Sequence, residues 1–112
     1  MMTTPAQWHK QADQLALAGE VNFDNVITLR YEAETWLSNS ANAHCTIDFS
    51  GASSNSAGIA LMISLHRYAL GRGKQLNLEH IPANLTAMAH LAGLEWLIDN
   101  LDTAAPHQPG DS

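Results

Sequence analysis

Ile47 to Met62 reads IDFSGASSNSAGIALM: strand-type residues, a serine-rich junction, then the start of an apolar helix. Whether that junction is a reaction centre, an anion cradle or a helix start decides the kind of protein. To its left, HCTIDFS (His44–Ser50) is a β-branched and aromatic run that predicts a buried central strand. To its right, the spacing predicts a helix from about Ser56 to Leu70, stopped by Gly71 and Gly73. Asn55 and Ser56 are both suited to cap that helix, and Gly58 leaves room for another element against its first turn.

Working outward, Trp8–Gln11 and QLALAGEV (Gln14–Val21) read as two strands. Asn25–Leu37 reads as a helix capped by Asp24 or Asn25, with Val26, Leu29, Ala33 and Trp36 inward and Glu32 and Glu34 outward. Gln75–His80 alternates like a strand, Ile81-Pro82 turns the chain, and Ala83–Leu91 reads as a helix broken by Gly93. A last amphipathic piece, Leu94–Leu101, follows, and Thr103–Ser112 reads as a disordered tail. Strand–helix–strand units with short links require crossovers. The expected class is therefore α/β, a small mixed β-sheet with helices packed on it, in one domain over 1–102.

The bulk numbers fit one core. The chain has 112 residues, of which 46% are hydrophobic, and a formal charge of −6. So acidic a surface repels phosphate backbones and anionic lipid, which argues against nucleic-acid and direct membrane binding. The longest apolar block, Ile59–Ile63, is far too short for a span. The single cysteine, Cys45, cannot make an internal disulfide, which fits a reducing cytosol. The six histidines never fall three or four apart, and no pattern asks for a metal or cofactor.

Catalytic readings are weak. In a Walker loop ending at Gly73-Lys74 the first glycine would fall on Tyr68, and Gln75 would replace the metal-binding hydroxyl. Ser56, His66 and Asp48 make a triad only on paper, because no G-x-S-x-G elbow supports it. Asp48 is better read as an acceptor for nearby hydrogen bonds. What stands out is the helix surface. At about 100° per residue, Gly58, Met62, Leu65 and Ala69 share a core side. Ser56, Ala60, Ser64 and Arg67 lie opposite, bordered by Ile59, Ile63 and Leu70. So small and weakly polar a face suits either a docking partner or a covering helix of the same domain. A phosphate on Ser56 would place up to about two negative charges in its middle.

The run IDFS, a short loop, then NSAGIALMISLHRYALGRGKQLNL resembles the STAS domain of anti-sigma-factor antagonists and related transporter subunits. LALAGEV resembles that family's second strand and IPANLTAMAHLAGLEWL its closing helical segment, so the likeness spans Leu15 to Leu101. The family signature is an acidic residue, Ser or Thr, a small residue, Gly, then an aliphatic residue. Here it is Asn55, Ser56, Ala57, Gly58, Ile59. Within the family, a free-standing domain this short looks most like the MlaB group, the STAS subunits of Mla phospholipid ABC transporters. That resemblance implies a STAS fold and a non-enzymatic cytoplasmic subunit, held at the inner membrane by the transporter and supporting its ATPase subunit. It implies a partner surface over Ser53, Ser54, Asn55, Ser56, Ala57, Ile59, Ala60, Ile63, Ser64 and Arg67. The alternative it carries is an anti-sigma-factor antagonist controlled by phosphorylation of Ser56. Asn55 replaces the family's carboxylate and GASS is a residue short, both of which favour constitutive binding.

Overall fold

The computed structural model describes residues 4–11 and 14–94. The amphipathic piece expected over Leu94–Leu101, apart from Leu94 itself, and the tail expected over Thr103–Ser112 lie outside the described residues. The order of elements is β1 (Gln7–Gln11), β2 (Gln14–Val21), α1 (Val26–Asn39), β3 (His44–Ser54), α2 (Ala57–Gly71), β4 (Gln75–Glu79) and α3 (Ala83–Leu91). The strands form one sheet in the order β1-β2-β3-β4, with β1 antiparallel to β2 and the other pairs parallel. This is the expected α/β class with a mixed sheet. Among the described residues no helix is long and apolar enough to cross a membrane.

Two successive parallel crossovers carry the chain from β2 to β3 and from β3 to β4, and their helices, α1 and α2, pack against each other. Period-two alternation supplies the other side of that core. Leu15 and Leu17 of β2, Cys45, Ile47 and Phe49 of β3, and Leu76 and Leu78 of β4 are buried beneath the helices. Thr46, Asp48 and Asn77 point to the opposite face and are only half-buried. The expectation of a fully buried β3 is thus corrected, because no described helix covers that second face.

β3 also runs further than its residue types suggest. Gly51–Ser54 is not a loop but the second half of the strand, pairing Gly51 with Ala18, Ala52 with Gly19, Ser53 with Glu20 and Ser54 with Val21. Between Ala16 and Ala18 the register slips by one residue, so Phe49 and Ser50 together face Leu17. A bulge of this kind exchanges the two faces of the strand beyond it. Ala52 and Ser54 therefore turn towards the helices, while Ser53 turns out and is exposed.

Helix ends obey local rules with some substitutions of role. The turn before α1 is organised by Asn22, whose Oδ1 accepts from the N–H groups of Asp24 (2.8 Å) and Asn25 (3.1 Å). Neither Asp24 nor Asn25 caps α1 through its side chain, since Asn25 reaches back to donate to the Glu20 carbonyl. α2 and α3 both close with a glycine in the left-handed region, Gly73 (φ 71°) and Gly93 (φ 76°). In each, the following N–H returns to a carbonyl in the last turn, Lys74 to Ala69 and Leu94 to Ala89. β4 stops at Glu79 rather than His80, because His80 adopts φ 55° and leaves the extended conformation.

Candidate functional site

The face-exchange in β3 builds the junction that opened the sequence. Ser54 ends β3 on the helix side, with its hydroxyl 2.8 Å from the Asn55 carbonyl and 3.2 Å from that of Val21. α2 begins directly above it. A Cβ added to Gly58 would stand 2.6 Å from Ser54 Oγ and 2.8 Å from Leu85 Cδ1, so only glycine lets β3, α2 and α3 meet so closely. Asn84 of α3 completes the clamp by donating its side-chain amide to the Ser54 carbonyl at 2.8 Å. The room foreseen at Gly58 is there. Asn84 and Leu85, 30 and 31 positions downstream of Ser54, carried no local sign of this task.

Capping falls to Asn55, not Ser56. Asn55 Oδ1 accepts from the Ala57 N–H at 2.8 Å, while Ser56 has helical backbone angles and makes no side-chain cap bond. Two further first-turn donors are also engaged: Gly58 N–H bonds the Asn55 carbonyl and Ile59 N–H that of Ser56. The N–H groups of Ala57, Gly58 and Ile59 are thus already engaged and do not wait for an anion. The Ser56 side chain itself is exposed and has no hydrogen bond among the described residues.

Of the ten residues expected to form a partner surface, Ser53, Asn55, Ser56, Ala60 and Arg67 are exposed, and Ser54, Ile59, Ile63 and Ser64 are half-buried. Ala57 must be withdrawn from that surface. It is fully buried at 0% exposure, because Ala57, Leu61 and Leu65 form one edge of the core stripe of α2. Although α1 and α3 both pack on α2, the strip along Ser56, Ala60 and Arg67 stays open. With Ile59 and Ile63 on its border it is small, weakly polar and partly apolar, and Arg67 is its one charged group.

Asp48 belongs to a different place. It sits at the bulge on the open face of the sheet, where its Oδ1 accepts from the Ser50 N–H at 2.9 Å and its Oδ2 meets the Ser50 hydroxyl at 3.2 Å. His80 Nδ1 lies 2.9 Å from the same Oδ1. Burial alone would raise the carboxyl pKa, but the Ser50 and His80 hydrogen bonds outweigh it and hold the group below its ordinary value. His66 lines a separate hollow with Leu70, Gly73 and Lys74 at the far end of α2, and its imidazole pKa is lowered by partial burial. The paper triad of Ser56, His66 and Asp48 is therefore not assembled: Asp48 has His80 as its partner and serves the bulge.

A family model described as "Mlab, STAS domain" matches residues 5–99. Among solved structures, the chain is similar to the anti-sigma factor antagonist SpoIIAA in its unphosphorylated form. That match has a TM-score of 0.62 and 17% sequence identity, and covers 80% of this chain and 82% of that one. No curated protein sequence matches.

Proposed function

The chain belongs to the MlaB group of STAS domains, and from that membership we propose that it is a non-enzymatic accessory subunit of a phospholipid ABC transporter. In this reading it acts in the cytoplasm, docks onto the transporter's ATPase subunit and supports that subunit's assembly or activity. It reaches the membrane only through the complex. The observation that carries the proposal is the open strip of α2, where Ser56, Ala60 and Arg67 are exposed between half-buried Ile59 and Ile63. Small side chains let a partner's backbone approach, and the two isoleucines contribute apolar area to the contact. Ser53 and Asn55, turned outward by the bulge and the cap, extend the surface past the start of the helix.

Co-purification with the ATPase subunit of such a transporter from the native host tests the proposal. Binding is expected for the wild type and lost with Ile63→Asp or Ser56→Glu, each of which buries a charge in the contact. Undiminished binding by both variants would remove the surface. A second reading has its own support in the exposed, unbonded Ser56 hydroxyl at the family's acceptor position: an anti-sigma-factor antagonist switched by phosphorylation. Intact-mass analysis from the native host separates the two, since that reading requires a phosphorylated fraction at Ser56 under some growth condition. Asn55, which keeps the cap but lacks the carboxylate, weighs towards constitutive docking.

A further inference from the structure

β1 stands at one end of the sheet order and pairs only with β2 among the described residues. The backbone N–H and C=O groups on its outer edge have no strand partner there. α1 runs beside that edge without sealing it. Between them lies a groove of about 610 Å³, walled by Trp8 and Lys10 from β1 and by Thr28, Tyr31, Glu32 and Trp36 from α1. Trp8 is a fixed wall, because its indole N–H donates to the Leu29 carbonyl at 2.9 Å. Tyr31 is 68% exposed at the rim. An edge strand beside a helix, with a groove of mixed apolar and polar lining between, suits an extended peptide. The edge offers main-chain hydrogen bonds and the groove takes every second side chain.

We propose that β1 and α1 form a docking site for an extended segment of a partner protein, which adds to the sheet as a strand along β1. The register states the segment's chemistry. Trp8 and Lys10 pair across β2 with the buried Leu17 and Leu15, so both face the helix side. An incoming strand then carries a bulky apolar anchor opposite Trp8 and, two positions away, an acidic side chain paired directly with Lys10 on the strand side of the groove, Glu32 standing on the α1 side. Lys10 also discourages indiscriminate edge pairing, which makes the site selective. None of its walls belongs to α2 or to the strip proposed for the ATPase subunit, so the two sites stand independently.

Blocked seven-residue threonine-rich peptides, carrying a leucine and two positions away either glutamate or lysine, are titrated against the ¹⁵N-labelled full chain. Shifts are expected at β1 and along the groove side of α1. The glutamate peptide should bind about fivefold more tightly, an effect of the size of one cross-strand charge pair. Lys10→Glu, a substitution at an exposed position, should reverse the preference, and N-methylating the peptide amides that face β1 should abolish binding. Three outcomes overturn the proposal: no shifts at millimolar peptide, shifts on α2 instead, or affinity indifferent to N-methylation. Self-association through β1 that the peptides do not compete with also overturns it, assigning the edge to a second copy of this chain.

Discussion

At Gly58 one missing methyl group sets the distance between three elements. Alanine there gains up to about 1 kcal/mol in helix propensity, but its Cβ meets Ser54 Cβ at 3.0 Å besides the two closer atoms. Overpacking of that kind costs about 1–3 kcal/mol. The expected result for Gly58→Ala is a net loss of about 1 kcal/mol, read as a lower urea midpoint at constant slope. Asp48 gives a residue-scale test in pH. Its folded pKa is depressed, so its contribution is present above the unfolded value of about 3.9 and is lost as pH falls through the folded value. Asp48→Asn should cost about 1 kcal/mol at pH 7, and the gap to wild type should narrow in urea titrations below about pH 4. A gap constant down to pH 2 would mean that the charge is irrelevant and only the acceptor geometry counts.

At the scale of elements, α2 carries both the core and the surface proposed for docking, and its ends are held by different means. The carboxyl end depends on a left-handed glycine. Gly73→Ala should lower thermal stability by about 1 kcal/mol, because a Cβ is disfavoured at that φ even with nothing within 4 Å. Gly71→Ala is the control: it lies inside the helix, has equal space, and should be neutral or slightly stabilising. Lys74, just past the stop, donates to the carbonyls of Ser40 (2.8 Å) and Asn42 (3.0 Å), tying the link after α1 to the start of β4. The amino end depends on tertiary contact instead, through Asn55, Ser54 and the clamp from α3.

For the whole molecule, that clamp makes α3 part of the site, with Asn84 exposed beside Ser54. Leu85 is fully buried beside Gly58. Leu85→Ala should destabilise the chain by about 2–5 kcal/mol. It should also speed amide exchange at the end of β3 and the first turn of α2 beyond the global change. If exchange rises evenly throughout, α3 supports the core only and does not position the junction. The outer edge of β1 and the strip on α2 lie on different elements, so separate variants can address the two proposed surfaces.

Much of the architecture was legible because it is written in short-range terms. Period-two alternation, helical spacing in α1 and α2, and glycine stops at Gly73 and Gly93 all act within a few residues. The helix start at Asn55–Ile59 was legible for the same reason, since Asn, Ser and Gly each have a local backbone preference. What only the tertiary structure decided depends on partners distant in sequence. Serines and a glycine read as a loop, yet Gly51–Ser54 is strand because β2 offers it a ladder of hydrogen bonds. A one-residue slip opposite Leu17, invisible in the chain itself, chose which serine faces the helices and which faces solvent. The family resemblance put Ala57 on the partner surface, but the packing of α2 on the sheet buried it. Residue types determined the kind and order of the elements and the glycine stops of α2 and α3; the pairing register and the packing of helices determined how far β3 runs and which side chains are left to meet a partner.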